Sequence, residues 1–437
     1  MKLRDSSWDE KGQVAALVEG IAIPKMALVR QEFDGKALED LPGTVRKEME
    51  KLSPVIKPGM SIALTAGSRG INHIALILRE AVSFLKSAGA CPFIIPAMGS
   101  HGGGTAEGQK AVLESFGITE EYTLCPVRAT METVTVGRLP DGEPVQIDRY
   151  ASEADGILVI GRVKPHTAFR GRFESGLYKM MAIGLGKLNG ANVCHSRGIG
   201  NMARTIEAIG DVIMQGAPVM AGLAIVENAF DETALVELVP KERMKTREPE
   251  LLELSKALMP KLYIPEFDIL VTDTIGKNYS GEGQDPNITG SFSTPYATGG
   301  PKVGCYVVLD ISEESHGNPL GLGSAHITTK RLYDKIDFDA SYKNALTCGV
   351  ISCSRLPLVM NNDRLAIQAA IMSLSWPHRD RPRIVRIENS AQVSRIYVSE
   401  TLKEEIEKHK ELTQITAFEE LSFREDGSLS LGPYPEP

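Results

Sequence analysis

Residues 161–198 place two histidines and several cations among glycines and small apolar residues. The segment reads GRVKPHTAFRGRFESGLYKMMAIGLGKLNGANVCHSRG and contains His166, Lys179 and His195. Histidine exchanges protons near neutral pH and ligates metals, and a lysine held among apolar residues can lose its proton and become nucleophilic. The three side chains are spaced too irregularly for one helical face, so we expect loops and helix ends to present them. This composition indicates an active site.

Other polar residues follow two apolar runs nearer the N-terminus. Ser68 and Arg69 end the run SIALTAGSRG, and His101 follows CPFIIPAMGS and precedes three glycines. Glycines let backbone amides approach a ligand, and they can open a helix whose N-terminus favours anions. The alternative for His101 is an exposed histidine in a flexible turn. GSHGGG lacks the GK[ST] ending of a P-loop, which disfavours nucleoside triphosphate chemistry.

The elements around these residues predict a parallel α/β sheet. Strand-like apolar runs alternate with helix-period segments at 61–67, 72–87, 91–99, 105–116 and 156–163. Such alternation implies right-handed crossovers between parallel strands, and functional residues then lie beyond the carboxyl ends of the strands. Arg69, His101 and His166 each follow one strand, so we expect them at one crevice. For His166, a structural histidine at a strand end is the alternative.

The length of 437 residues predicts two domains, because a single core seldom grows to that size. Residues 241–265 are charged, helical in pattern and end in proline, which indicates an interdomain connection. A second α/β unit is predicted to start with the strand at 267–276. We therefore expect an N-terminal domain over 1–265 and a C-terminal α/β domain over 266–437, both with mainly parallel sheets and with a cleft between them.

Composition narrows the class of protein. Hydrophobic residues make up 42% of the chain and charged residues 24%, as in ordinary soluble globular proteins. With 48 basic and 56 acidic residues the net charge is −8, and no basic cluster is long enough to follow a phosphate backbone, which disfavours nucleic-acid binding. No apolar run approaches the ~20 residues that span a bilayer. The six cysteines lie far apart, as expected in a reducing compartment, so the sequence predicts a cytoplasmic protein.

The pattern of His101 after a strand, His166 in KPH, and Lys179 sixteen residues before His195 resembles the nickel-pincer lactate racemase family. The motif of that family reads roughly EPHxxAGFSGGRKxxxPG, followed by a histidine at the same interval from the lysine. The resemblance implies that Lys179 is linked covalently to a nickel-pincer nucleotide (nickel pyridinium-3,5-bisthiocarboxylic acid mononucleotide). It also implies that His195 ligates the nickel, and that His101 and His166 act as alternating acid and base.

The remaining candidates concern the cofactor and the substrate. Ser68 and Arg69 are predicted to contact the cofactor, and Arg69 is also predicted to position a substrate carboxylate. The loop 276–290, GKNYSGEGQDPNITG, offers Lys277 as a catalytic and substrate-binding residue and Gln284 as a substrate-binding residue. In the racemases the second domain likewise supplies a lysine and a glutamine to the carboxylate. The alternative is an ordinary glycine-rich surface loop.

Two arginines distinguish this chain from the family motif. The interval from His166 to Lys179 is 13 residues, three longer than in the motif, and it carries Arg170 and Arg172. These two side chains are predicted to bind substrate, which indicates a larger or more acidic substrate than lactate.

The resemblance implies a racemase or epimerase of a 2-hydroxy acid or sugar acid that acts by reversible hydride transfer and depends on cofactor-biosynthesis proteins. A zinc-dependent hydrolase or lyase is one alternative, because His101, His166 and His195 would supply the three protein ligands of a catalytic zinc site. A non-catalytic protein that binds the pincer nucleotide for delivery is the other. The oligomeric state is left open.

Overall fold

The computed structural model of the chain describes residues 12–68, 70–430 and 434. It divides into two compact units. The inserted unit is Asp34–Met259, and the split unit combines Met1–Phe33 with Pro260–Pro437.

The described strands belong to two large sheets and one hairpin. In chain order they are β1 (Met26–Gln31), β2 (Ser61–Ala66), β3 (Cys91–Pro96), β4 (Thr133–Arg138), β5 (Pro144–Asp148), β6 (Gly156–Arg162), β7 (Val219–Glu227), β8 (Thr233–Pro240), β9 (Glu266–Ile275), β10 (Lys302–Ile311), β11 (Ile327–Thr329), β12 (Leu358–Met360), β13 (Ile384–Ile387), β14 (Arg395–Ser399) and β15 (Leu412–Gln414).

The described helices alternate with these strands through much of the chain. They are α1 (Gln13–Val18), α2 (Leu41–Met49), α3 (Ile74–Ser87), α4 (Ala106–Ser115), α5 (Glu120–Thr123), α6 (Arg149–Ser152), α7 (Leu177–Lys179), α8 (Lys187–Ser196), α9 (Met202–Gly216), α10 (Lys241–Leu258), α11 (Pro286–Thr289), α12 (Lys330–Asp334), α13 (Phe338–Cys348), α14 (Asp363–Ser373) and α15 (Lys403–Lys408). A π-helical turn over Met180–Leu185 joins α7 to α8.

The inserted unit is built on a five-stranded sheet in the order β3-β2-β6-β7-β8. The first four strands are parallel and β8 is antiparallel to β7. Their continuous apolar sequences fit strands that are buried on both faces. One face packs against α2 and α3, and the other packs against the π-helical turn, α9 and α10. Because β2 lies between β3 and β6, the loops that follow these three strands leave the sheet side by side.

The split unit is built on an eight-stranded sheet in the order β12-β11-β10-β9-β13-β14-β1-β15. The five strands from β12 to β13 are parallel, and the last three are antiparallel to their neighbours. Strand β1 pairs with β14 over its first five residues. This pairing is what assigns the N-terminal segment to the split unit.

The predicted fold class of two α/β domains with mainly parallel sheets is confirmed, while the cleft between them stays a prediction. The division of the chain differs from the predicted bounds of 1–265 and 266–437, because β1 belongs to the second sheet. Hydrophobic periodicity shows that a strand exists but does not reveal a partner so far along the chain. The predicted interdomain connection begins with α10, which packs on β7 through buried Met244, Leu251 and Leu252.

No helix in the described part of the chain is both long and apolar enough to cross a membrane.

Candidate functional site

A cavity of about 210 Å³ lies at the carboxyl ends of β2, β3 and β6 in the inserted unit. Its walls are glycines, apolar side chains that are mostly isoleucine and methionine, and six polar residues. The polar members are Ser68, His101, Arg162, Lys164, Ser175 and Lys179. No carboxylate occurs among the described residues that line it, so basic groups dominate its electrostatics. The cavity therefore favours an anionic ligand.

His101 reaches the cavity from the loop that follows β3. Its backbone N–H donates to Met98 O at 3.1 Å, which closes a turn immediately before the three glycines. Gly102 has a φ of +64°, and a Cβ there would lie 2.6 Å from the amide nitrogen of Gln109. Only glycine lets the loop approach α4 this closely. The predicted position of His101, beyond its strand and at the crevice, agrees with the structure.

Lys179 reaches the same cavity from the end of α7, where the π-helical turn begins. The buried carboxylate of Glu248, on α10, accepts the backbone N–H of Tyr178 at 2.9 Å. Gly176 leaves room for this contact, since a Cβ there would lie 2.2 Å from Glu248 Oε1. Burial raises the pKa of Glu248 to about 8. Short π-helical turns are frequent at functional sites, and this one determines where the Lys179 side chain emerges.

His195 lies on α8, outside the lining of the cavity. Its Nδ1 is buried and has no hydrogen-bond partner among the described residues. Burial lowers the pKa of His195, and the nearby charge of Lys179 lowers it further. The imidazole is therefore neutral at physiological pH, which is the form that ligates metals. A buried nitrogen without a partner in the protein is open to an additional ligand, and a metal ion is one group that it could bind.

His166 lies in the loop after β6 and is also absent from the cavity lining. Its Nδ1 accepts the backbone N–H of Ala168 at 3.0 Å, and its ring stacks on Phe169 with centroids 4.2 Å apart. Its own backbone N–H donates to Glu174 Oε2 at 2.7 Å. A neutral imidazole that accepts at Nδ1 carries its proton on Nε2. The contacts thus fix both the ring orientation and the tautomer of His166.

Arg170 and Arg172 bind groups of the protein and do not line the cavity. Arg170 Nη1 donates to His166 O at 2.5 Å and lies 3.3 Å from the buried carboxylate of Glu174. Arg172 Nη2 donates to Lys245 O at 3.0 Å, and its other terminal nitrogen is 3.6 Å from Glu207. Both arginines therefore stabilise the long loop before Lys179. Their binding of substrate stays a prediction.

The two candidates from the loop after β9 belong to the split unit. The backbone N–H of Lys277 donates to Ser315 Oγ at 2.9 Å. Gln284 is 1% exposed. Its amide nitrogen donates to Ser291 O at 2.9 Å, and its amide oxygen accepts from Thr289 Oγ1 at 2.5 Å. The Gln284 amide holds its own loop together, and contact of either residue with substrate stays a prediction. The remaining candidate, Arg69, lies outside the described residues.

The conventional zinc site suggested as an alternative is not assembled. Within residues 12–68, 70–430 and 434, no group of three or more histidine, cysteine, aspartate or glutamate side chains is placed to hold a metal ion. His101 lines the cavity, whereas His166 and His195 do not. The contact of His166 Nδ1 with Ala168 also removes one of its two possible ligand atoms.

Sequence reasoning did not select three polar residues that line the cavity, namely Arg162, Lys164 and Ser175. Arg162 forms an ion pair with the buried Glu227 at the end of β7. Lys164 and Ser175 pair through their backbones, with N–H to O distances of 2.9 and 3.2 Å. The sequence held a signal for the two cations, because Arg162 is the last residue of β6 and Lys164 follows that strand closely in GRVKPH.

Comparisons with known proteins match part of this chain to one family. Residues 47–206 match the family described as lactate racemase N-terminal domain. A solved structure, the lactate racemase apoprotein from Thermoanaerobacterium thermosaccharolyticum, aligns with 63% of this chain and 69% of its own, at 15% identity and a TM-score of 0.41. No curated protein matches the chain. Every residue that lines the cavity lies within the matched range, and the resemblance read from the sequence is confirmed.

Proposed function

We propose that this chain, whose residues 47–206 match the family described as lactate racemase N-terminal domain, is a racemase or epimerase of a 2-hydroxy acid or sugar acid. The observation that carries the proposal is the cavity that His101 and Lys179 line together. These residues come from segments far apart in the chain, and the sequence predicts that both take part in one reaction, His101 as an acid or base and Lys179 as the residue that holds the cofactor. An isomerase that inverts a hydroxyl-bearing carbon needs a group that moves the hydroxyl proton and a group that holds the cofactor, and both types are present.

The residues fit the nickel-pincer nucleotide that the family implies. Lys179 would hold it covalently, His195 would ligate the nickel, and Ser68 and Arg69 would contact the nucleotide. The buried Nδ1 of His195 without a partner supports this assignment, and imidazole is a suitable ligand for nickel. When bound, the nucleotide would supply a centre that takes up hydride from carbon and returns it.

The two other histidines would move the hydroxyl proton. Because His166 Nδ1 accepts the N–H of Ala168, a neutral His166 carries its proton on Nε2 and can donate it, so His101 would serve first as the base and His166 as the acid. The roles reverse in the opposite direction, as interconversion of two stereoisomers requires. A positioned acid or base of this kind typically contributes about 10²–10⁴-fold to the rate.

The charge of the cavity supports an acidic substrate. Lys164 and Lys179 line it and no described carboxylate does, so a carboxylate-bearing ligand gains favourable electrostatic interactions there. Arg69 and Lys277 would position the carboxylate and stabilise developing charge. Substrate contact by Gln284, Arg170 and Arg172 stays a prediction from the sequence, and for Arg172 its contacts with Lys245 O and Glu207 weigh against it.

We also propose that the protein works in the cytoplasm and receives its nucleotide from cofactor-biosynthesis proteins. All six cysteines are free thiols, as expected in a reducing compartment.

The test is isomerisation in heavy water by protein purified from a host that makes the cofactor. Four- to six-carbon hydroxy acids and sugar acids are screened first, because the cavity is basic. Hydrogen delivered as hydride is retained and returned, so the product should contain little deuterium at the inverted carbon. Extensive labelling there would contradict hydride transfer and indicate a base-catalysed racemase.

Histidine variants separate nickel ligation from proton transfer, and the wild-type protein separates an enzyme from a delivery protein. His195→Ala should lose nickel, whereas His101→Ala and His166→Ala should keep nickel and lose turnover. A wild-type protein that retains nickel and nucleotide but turns over none of the acids would favour the non-catalytic carrier.

A further inference from the structure

The glycine-rich segment 161–198 contains a second candidate lysine besides Lys179. This residue, Lys187, is fully buried in the inserted unit. It stands eight residues after Lys179 and eight before His195, at the first position of α8. Its φ of +52° lies in the left-handed region, which residues other than glycine seldom adopt. Such a backbone conformation persists only where the surroundings determine it, and here the side chain provides the reason.

The Lys187 ammonium group has one ion-pair partner and two hydrogen-bond acceptors. Nζ lies 2.9 Å from Asp148 Oδ2 and 3.2 Å from Gln109 Oε1, and it also donates to Pro96 O at the end of β3. Asp148 is as completely buried as its partner. Its other oxygen accepts the backbone N–H of Ala151 at 3.1 Å, at the start of α6. The ion pair thus connects four separate segments of the unit.

Gln109 extends this contact to the loop that carries His101. It is fully buried on α4, and its amide nitrogen donates to Gly99 O at 2.9 Å and to His101 O at 3.3 Å. Because the Gln109 oxygen accepts from Lys187, the amide can point only one way, with its N–H groups toward the loop. The charge of Lys187 therefore determines the orientation of a side chain that binds the backbone of His101.

We propose that Lys187 and Gln109 are positioning residues for His101. Through them the loop 97–101 is held at a fixed place against the helical run 177–196, which carries Lys179 and His195. Lys187 and Gln109 are assigned no contact with substrate, so the importance of this positioning for catalysis rests on the proposed function. The positioning itself can be measured without cofactor or substrate.

The test compares two variants of one side chain in the full-length protein without cofactor. Gln109→Met keeps the length of the side chain and removes both hydrogen-bonding groups. Gln109→Glu keeps an acceptor for Lys187 but cannot donate to Gly99 O or His101 O. Amide hydrogen exchange followed by mass spectrometry should rise at least about tenfold over residues 97–104 in both variants.

The control is Glu114→Gln, an exposed position on the same helix, which should leave exchange over 97–104 unchanged. Unchanged exchange in both Gln109 variants would overturn the proposal. An increase spread evenly over the inserted unit, together with a lower melting temperature, would also overturn it, because that result describes general destabilisation.

A second measurement reports on the imidazole itself. In protein labelled with ¹³C at histidine Cε1, the His101 signal is identified by its loss in His101→Gln. Gln109→Met should shift or split this signal and leave those of the other seven histidines in place, eight being present in total. An unchanged His101 signal would contradict the positioning role.

Turnover then separates the two proposals. In active protein, Gln109→Met should lower kcat at least about tenfold with little change in KM, because substrate contacts are intact and only the base is displaced. If wild type turns over no hydroxy acid, the proposed function fails, while the exchange and NMR results still decide whether Gln109 positions His101.

Discussion

Lys179 and Lys187 occupy the same apolar, glycine-rich run and differ in everything that surrounds their ammonium groups. Lys179 is half-buried and lines the cavity. Lys187 is fully buried and lies 2.9 Å from the carboxylate of Asp148. In the sequence a lysine within an apolar run indicates a reactive amine, and that indication applies equally to both. An apolar run therefore predicts burial of a lysine, whereas the partner of its ammonium group decides whether the lysine serves chemistry or structure.

Burial and mutual attraction have opposite effects on the pKa values of the buried pair Lys187 and Asp148. Burial lowers the pKa of Lys187 and raises that of Asp148, because each charge is removed from water, and the attraction between the two opposes both shifts. The Asp148 carboxylate and two hydrogen-bond acceptors surround the ammonium group, which favours the charged pair. Removal of one partner would leave the other as an uncompensated buried charge.

The first prediction compares Lys179 and Lys187 by covalent attachment of the nucleotide, for which we expect the largest difference. In protein from a cofactor-making host, a peptide containing Lys179 should carry the mass of the nucleotide, and a peptide containing only Lys187 should not. Lys179→Ala should lose bound nucleotide and lower turnover at least about 10³-fold, because cofactor attachment and catalysis fail together. Intact-mass and peptide mass spectrometry check this. An adduct on Lys187 would reverse the comparison.

The second prediction compares Lys179 and Lys187 by their contributions to the free energy of unfolding. Lys187→Met should lower the free energy of unfolding by about 3–5 kcal/mol, because it leaves Asp148 buried and unpaired. Lys179→Met should change it by about 1 kcal/mol or less, since its side chain lines a cavity. Urea unfolding monitored by circular dichroism gives both values. Adding Asp148→Asn to Lys187→Met should recover part of the loss, and no recovery would show that the ion pair is not the cause.

A smaller effect concerns the carboxylates that accompany the two lysines. Asp148 has a cation as its partner, whereas Glu248, behind Lys179, accepts hydrogen bonds from backbone amides. Burial raises the pKa of Glu248 from 4.5 to about 8, so the folded chain keeps a proton that the unfolded chain releases. The stability from this group is complete below pH 4.5 and is lost as the pH rises to about 8, by at most about 1.4 kcal/mol per pH unit.

Glu248→Gln measures this contribution. The amide cannot ionise, so the variant should gain stability relative to wild type between about pH 5 and about pH 8. Equal pH dependence of unfolding in the two proteins would show that Glu248 is ionised throughout this range.

The smallest effect is expected at Arg172. Its guanidinium binds Lys245 O and lies near Glu207, away from the cavity lining. Arg172→Gln should therefore change KM less than about twofold and unfolding by about 0–1 kcal/mol, as for exposed ion pairs. Steady-state kinetics on the substrate found by screening checks this. A large rise in KM would restore Arg172 as a substrate-binding residue.

Much of the fold and part of the site could be read from the sequence. The strands that precede Ser68, His101 and His166 were recognised because parallel buried strands leave continuous apolar runs. Since they are neighbours in one sheet, the rule that functional groups gather at carboxyl ends located the cavity. The pairing of β1 with β14 could not be read, because no local pattern encodes a partner so distant.

The partners of charged side chains were the second feature that the sequence could not predict. Arg170 was assigned to substrate by its charge alone, yet it binds the backbone of His166 and the buried Glu174. Glu174, Glu248 and Asp148 are each buried in the structure, although acidic residues are mostly exposed. Charge identifies what a residue can bind, but only packing shows whether the protein itself already provides the partner.

The pairing of β1 with β14 has a consequence for the order in which the chain folds on the ribosome. The inserted unit is synthesised entirely between these two strands. At about 5–20 residues per second, β1 leaves the ribosome tens of seconds before its neighbour in the sheet exists. During that time the inserted unit can complete its own sheet, while β1, with Met26 to Val29 destined for burial, is an unpaired apolar strand. Such strands associate readily with other chains, so the yield of folded protein in the cell should depend on how well β1 is shielded until β14 emerges.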